Sequence, residues 1–377
     1  MLIAENFRKI PDPRRILVIQ LGDVGDVVLS LPALRDVREA YPEAAVAVLL
    51  REGNGALLAA ESSPPKIFEV RRKGRGDFVG RMIAPLKLIH ALRRERFDLV
   101  FDLRGDERGG YMAFSTGAPF RAAEYYSHLP WVRNRLFTHL VKLPSEGPAE
   151  GATEQYRRML RAFGIETGDT IPELRLSGEV SLRAAAVLAG EGILLGPGNE
   201  AGAVLRDSVH WVTMNPFSRW AYKEWASGKW VAIIDWLWRE FAMATVIVGS
   251  PEERGRAADL IDDCSGKVYN LAGRTTLAEL AGVIQQSRLH IGVDSAAPHI
   301  AAAVATPTVT LYGPSDWHYW APPGKDHRIV TSDMECVPCR QKGCEGSEIS
   351  RCLDALEVTA VQRVIGEALA ASRARDR

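Results

Sequence analysis

Short continuous apolar runs alternate with longer amphipathic stretches along most of this chain. ILVIQL (16–21), VAVLL (46–50) and DLVFDL (98–103) have no polar face and are rich in Val, Ile and Leu, the pattern of strands buried on both sides of a parallel sheet. A helical stretch from Val27 to near Tyr41-Pro42 and another over 80–96 separate them. The pattern weakens between about 172 and 208, where IPELRLSGEV and GILLGPGNEAG are rich in Gly and Pro, and then restarts. WVTMNPF (211–217), ATVIVG (244–249), KVYNLAG (267–273), RLHIGVD (288–294) and PTVTLYG (307–313) read as five more strands. Helical stretches at about 229–241, 253–263, 276–286 and 297–304 lie between them.

Strands separated by helices of this length form right-handed βαβ units on a parallel sheet. The spacing therefore predicts two Rossmann-like α/β domains facing a central cleft, residues 1–180 and 209–357, joined by a linker at 181–208. A last helix, 358–377, is expected to pack back across the first domain.

At 377 residues, with 46% apolar and 25% charged residues, the chain has the size of two domains and a globular composition. Forty-seven basic residues balance forty-seven acidic ones, which argues against a nucleic-acid binder driven by overall charge. No apolar run approaches the roughly 20 residues of a membrane span, and MLIAENFRKIPDPRR lacks the apolar core and cleavage site of a secretion signal. A soluble cytoplasmic protein is expected, with contact to the inner face of the membrane a compatible addition.

Ligands of open parallel sheets bind beyond the carboxyl ends of the strands, and three strand-to-helix loops are chemically unusual. The first is Gly22-Asp23-Val24-Gly25-Asp26. It lacks the G-x-G-x-x-G fingerprint, and two acids would repel a pyrophosphate. Asp26 fits a general base placed at a helix N-terminus, where the dipole favours negative charge, and equally an N-cap. The second, Asn215-Pro216-Phe217-Ser218-Arg219-Trp220-Ala221-Tyr222-Lys223-Glu224-Trp225, offers a hydroxyl and a cation to phosphate oxygens, or is a tryptophan-rich packing loop. The third, Gly292-Val293-Asp294-Ser295-Ala296-Ala297-Pro298-His299 followed by IAAAVAT, has the strand–turn–helix order of an anion site, or is an ordinary helix capped by Ser295 with His299 buried. A carboxylate, a lysine and an anion-binding helix start suit transfer of a group from a diphosphate donor to a hydroxyl.

ILVIQLGDVGDVVLSLPALRDVREAYPEAAVAVL, the NPFSRWAYKEW loop and HIGVDSAAPHIAAAVATPTVTLYGPSD, in that order, resemble glycosyltransferase family 9, the heptosyltransferases, over roughly residues 14–365. The resemblance implies a GT-B fold, an inverting mechanism, and no required cofactor or catalytic metal. It implies ADP-L-glycero-D-manno-heptose as donor and the lipopolysaccharide inner core as acceptor. By position, Asp26 matches the family's base. Ser218 and Lys223 match residues that hold the donor diphosphate, and Asp294, Ser295, Ala296 and His299 match the donor-site turn and helix start. Glu253 matches the acid on the donor ribose, with Glu252 one residue away as an equal candidate, and Thr275 lies where backbone meets adenine. A lysine and helix N–H groups aimed at the departing diphosphate would each supply about 2–4 kcal/mol.

Two positions depart from the family pattern. Asp23 stands where a small residue is usual and would either raise the pKa of Asp26 or contact an acceptor hydroxyl, and Ala296 replaces a glycine. Another nucleotide sugar as donor, a GT-B nucleotide-sugar 2-epimerase and a non-catalytic glycan-binding relative remain alternatives.

Residues 66–96 carry ten Lys/Arg against three acids, a local charge of +7 that includes Arg71, Arg72 and Lys73. This is an acceptor patch for a phosphorylated core glycan or a solvated helix face. Cys336-x2-Cys339-x4-Cys344-x7-Cys352 has spacing compatible with a structural zinc, or is a set of free and paired thiols.

Overall fold

The computed structural model describes residues 1–71, 78–143, 151–193 and 211–375. These form two compact units. The first comprises residues 1–59 and 63–172, and the second residues 60–62 together with the chain from Glu173 onward.

The described residues of the first unit build a seven-stranded, all-parallel sheet. Its strands are β1 (Leu2–Ala4), β2 (Arg15–Gln20), β3 (Ala45–Arg51), β4 (Lys66–Val70), β5 (Leu99–Asp102), β6 (Phe120–Glu124) and β7 (His139–Val141), in spatial order β1-β7-β6-β5-β2-β3-β4. The three apolar runs recognised in the sequence are the three neighbouring strands β5, β2 and β3. They are buried on both faces because helices cover both sides of a parallel sheet, and Leu17, Ile19, Leu49 and Val100 share one core with Phe137 and Leu140. The four strands that the sequence pattern missed lie toward the edges and mix in exposed or charged positions, as in KIFEV and FRAAE.

The helix expected from Val27 begins earlier, at Val24, and breaks at Ser30 into Val24–Leu29 and Leu31–Ala40. Pro32, at the start of the second piece, has no N–H to lose there, and the helix stops before Pro42. The helix Ala152–Arg161 packs against Leu31–Ala40 through a buried ion pair. Arg157 Nε donates to Asp36 Oδ2 at 2.7 Å, its other end donates to the Gly168 carbonyl, and Asp36 is fully buried.

The second unit holds a six-stranded parallel sheet among its described residues, in order β10-β9-β8-β11-β12-β13. These strands are β8 (Trp211–Asn215), β9 (Ala244–Ile247), β10 (Val268–Asn270), β11 (His290–Val293), β12 (Thr308–Leu311) and β13 (His327–Val330). All five predicted strands are present, and β13, an edge strand reading HRIV, is the addition.

Two boundaries are corrected. The first unit ends at Pro172, not 180, because a helix, Gly178–Gly190, runs across the expected start of the linker at 181, capped by Ser177 and packed against Leu277–Gln285 in the second unit. The contact is close: a Cβ on Gly282 would lie 2.6 Å from the Ala184 methyl. The rest of that linker lies outside the described residues. The last helix, Val358–Arg375, also belongs to the second unit. Val361, Ile365, Ala368 and Leu369 repeat every three or four residues and sit in one core with Leu237, Leu311 and Val330.

Replacing Arg157 with Leu strands the buried Asp36 charge, so urea unfolding should show a loss of about 3–5 kcal/mol. A loss below about 1 kcal/mol, the level of an exposed pair, would contradict this packing.

Candidate functional site

In the first unit, Ile19 of β2 pairs with Asp102 of β5, so the loops after both strands leave from the same line of the sheet. Asp23, not Asp26, occupies the N-cap position of the helix Val24–Leu29. Asp26 is the third helical residue, the other half of a capping box. The Asp23 backbone N–H donates to Asp26 Oδ2 at 2.8 Å. A Cβ on Gly22 would fall 2.4 Å from the Asp26 side chain, so glycine at 22 is what admits the fold-back.

Asp26 has two further partners. Tyr156 O–H, from the helix Ala152–Arg161, donates to Oδ1 at 3.1 Å, and the Arg104 guanidinium lies 3.5 Å from Oδ2. The carboxylate is therefore oriented from three sides while its side chain keeps 12% of its surface open. Asp23 turns the other way and pairs with Arg51 at the end of β3.

Arg104 reaches Asp26 because of the turn it rides on. Asp102 Oδ1 accepts from the backbone N–H of Arg104 at 3.2 Å and of Gly105 at 3.1 Å, closing the β5 turn. Burial works against the Arg104 charge, but Asp26 and then Asp106 outweigh it and raise its pKa. Asp102 itself is wholly buried under the first turn of the helix Glu107–Ser115, where a Cβ on Gly109 would lie 2.1 Å from Oδ2. Burial, followed by the nearby Asp106, pushes its carboxyl up to about 7, and Oδ2 has no hydrogen-bond partner among the described residues. A carboxyl so placed is divided between the neutral acid and the carboxylate near pH 7 and is the neutral acid at lower pH.

In the second unit, Gly292 of β11 pairs with Asn215 of β8, and a Cβ there would press on the Asn215 carbonyl at 2.7 Å. This close approach aligns the two loops. Ser295 O–H donates to Asn215 Oδ1 at 3.0 Å, and Lys223, in the turn Ala221–Lys223, donates to Asp294 Oδ2 at 2.6 Å. Ser295 holds the N-cap position of the helix Ala296–Ala303 without using its side chain to cap it, and His299 is buried in that helix. Ser218 stands apart from the Lys223–Asp294 pair in its own contacts: its backbone N–H donates to Glu224, which also binds Arg256.

Glu253 is the inward-facing member of the Glu252/Glu253 alternative. It repeats the Asp26 arrangement, accepting from the Ser250 N–H at 2.7 Å beneath Gly249, and burial raises its pKa. The Gly273 N–H donates to the Gly249 carbonyl at 2.9 Å, which brings the loop carrying Thr275 against the loop carrying Glu253.

Sequence reasoning missed Arg104, Tyr156 and Asp102. Arg104 and Asp102 stand where the strand-end rule points, in the DLRGD turn after a recognised strand. Tyr156 is mid-helix and carries no local signal. Of the basic patch, Arg71 is exposed with Nε 3.9 Å from Glu52, and Arg72 and Lys73 lie outside the described residues.

Cys336 is exposed, Cys339 and Cys344 are half-buried, and Cys352 is turned into the apolar core beside Leu353, where burial pushes its thiol up to about 11. Among the described residues no group of three or more His, Cys, Asp or Glu is arranged to hold an ion. None of the described helices is long and apolar enough to cross a membrane.

A sequence profile described as glycosyltransferase family 9 (heptosyltransferase) matches residues 85–349, well over half of the chain. The chain belongs to glycosyltransferase family 9. It is accordingly a glycosyltransferase, with the two parallel-sheet α/β units of the GT-B fold. Lipopolysaccharide heptosyltransferase 3 of Escherichia coli K12 is 27% identical over 303 residues, covering 79% of this chain and 82% of that protein. Among solved structures, the family 9 glycosyl transferase of Veillonella parvula matches with a TM-score of 0.77 at 20% identity, covering 94% of this chain and 97% of that one. The E. coli heptosyltransferase WaaC, solved with ADP-2-deoxy-2-fluoro heptose, matches with a TM-score of 0.69 at 19% identity, over 94% and 99% of the two chains.

Asp102 gives this family 9 chain a pH signature. Its carboxyl lies near 4 when unfolded and about 7 when folded. The stability it permits is therefore complete below pH 4 and is lost as pH rises through 7. Asp102→Asn removes that loss, so the stability of the variant relative to the native protein should rise by on the order of 3 kcal/mol between pH 4.5 and 8. Denaturant unfolding at both pH values checks this, and a difference that does not change with pH refutes a neutral buried Asp102.

Proposed function

We propose that the enzyme moves a heptose from ADP-L-glycero-D-manno-heptose to a hydroxyl of the lipopolysaccharide inner core, with inversion and with Asp26 as the general base. The observation that carries this reading is the carboxylate held by the Asp23 N–H, Tyr156 and Arg104 at the carboxyl end of the β2 strand. Family 9 membership and the relative's name, lipopolysaccharide heptosyltransferase, supply the substrate class. The WaaC complex with an ADP-heptose analogue supports ADP as the nucleotide.

The chemistry runs as one displacement. Asp26 takes the acceptor hydroxyl's proton while that oxygen attacks the anomeric carbon from the face opposite the nucleotide. The bond from that carbon to the β-phosphate oxygen breaks, and the electron pair leaves with ADP. Lys223 and the first N–H groups of the helix Ala296–Ala303 meet the charge that builds on the diphosphate. Glu253 would accept from the ribose hydroxyls, and Thr275 would border the adenine. One base on one face needs no second carboxylate, so Asp23 serves the acceptor or, through Arg51, the shape of the loop.

Calorimetric titration with ADP, UDP and GDP tests the donor assignment without an acceptor in hand. ADP should bind most tightly, and Lys223→Ala should weaken it about tenfold or more, the worth of one charged hydrogen bond. Preference for UDP, or ADP binding indifferent to the lysine, would contradict the proposal.

A further inference from the structure

A pocket of about 410 Å³ opens in the second unit beside Lys223, and apart from that lysine the residues that form it have no role in the chemistry above. Its walls come from three places: Tyr222 and Lys223, the segment after β12 with Asp316, Tyr319 and Trp320, and Arg340 from between Cys339 and Cys344.

Asp316 is the unusual member. It occupies the N-cap position of the short helix Trp317–Trp320, yet its side chain makes no cap bond there. The carboxylate is nearly buried and pairs instead with the Arg340 guanidinium. Arg340 is held in place for this contact. Its backbone sits at φ +61, a left-handed conformation that is strained for a non-glycine residue, and its N–H donates to the Pro314 carbonyl at 2.7 Å. The guanidinium itself is mostly exposed, so the pair is easily opened or shared with an incoming group.

The cysteine-bearing segment that carries Arg340 is fixed to the lysine loop from the other end. Ser350 O–H donates to the Tyr222 carbonyl at 2.6 Å, Trp225 Nε1–H donates to the Leu356 carbonyl at 3.1 Å, and Cys352 lies in the core against Gly313. The segment thus builds one wall of the pocket. A nearly buried carboxylate beside a cation, faced by Tyr and Trp rings, matches the two surfaces of a sugar: hydroxyls that donate to the carboxylate, and C–H faces that lie on aromatic rings. The volume is in the range of small-molecule sites.

We propose that this pocket receives the sugar of the nucleotide-sugar donor, that Asp316 accepts from its hydroxyls, and that Arg340 is the positioning residue that aims Asp316. The inference rests on the assignment of Lys223 to the donor diphosphate, because only then does the pocket adjoin the sugar. It makes Asp316 a specificity determinant: a site built to bond a hydroxyl rejects a sugar lacking it far more strongly than an apolar pocket would.

Titration of the full-length protein with ADP and with ADP-heptose separates the two assignments. Asp316→Asn should leave the Kd for ADP within about twofold, which also reports an intact second unit, and raise the Kd for ADP-heptose about tenfold or more. Arg340→Gln should shift the ADP-heptose Kd in the same direction by a smaller factor, with ADP unaffected. If both variants change ADP and ADP-heptose equally, or change neither, the sugar assignment is overturned while the donor-site reading stands. If the native protein binds neither adenine nucleotide, the donor-site reading falls and this inference falls with it.

Discussion

An acid that folds back onto the start of its own helix is the constraint on which the candidate site depends. In the first unit the sequence Gly22-Asp23-x-x-Asp26 follows the interior strand β2, and the Asp26 carboxylate is tied to the Asp23 N–H at the cap. The second unit repeats the device after β9, with Gly249-Ser250-x-x-Glu253. In both, the glycine lacks the Cβ that would collide with the returning acid. A strand end fixes where the turn begins and the capping box fixes where the carboxylate points, so little freedom is left to the side chain.

Opposite charge reaches Asp26 in the first unit and Asp294 in the second from separate elements. Arg104 comes to Asp26 on a turn closed by the buried Asp102, and Tyr156 arrives on a helix locked in place by the Arg157–Asp36 pair. Lys223 meets Asp294 because Gly292 lets β11 and β8 run close together. These are strong local charges in a chain with none overall, which fits an enzyme that handles a charged diphosphate at one place without attracting polyanions everywhere.

The central strands were legible because full burial leaves a continuous apolar signature, and the three strand-end loops followed from them. The edge strands were not legible: half of each faces outward, so KIFEV and HRIV read like loop. The helix start at Val24 was displaced to Val27 because Asp23 and Asp26 are both plausible caps by residue type, and only the hydrogen bonds distinguish cap from third helical residue. The stretch 181–193 read as linker since the Gly and Pro content around it hid an alanine-rich helix whose partner, Gly282, is a hundred residues away. The closing helix showed an apolar stripe but nothing to say which unit would bury it. The cysteine spacing suggested a metal, whereas the fold spends Cys352 on core packing and uses the segment to carry Arg340. Tyr156 gains its meaning from tertiary neighbours alone.

The central claim is that Asp26, and not the adjacent Asp23, removes the acceptor proton. Single-turnover transfer from ADP-heptose to a core glycan acceptor, comparing Asp26→Asn with Asp23→Asn, tests it most directly. Asn at 26 retains an oxygen for the capping bond but cannot take a proton, so transfer should slow by about 10²–10⁴ with donor affinity unchanged, while Asp23→Asn should cost less than about tenfold. Transfer at close to the native rate by Asp26→Asn, or equal losses in the two variants, would contradict the account.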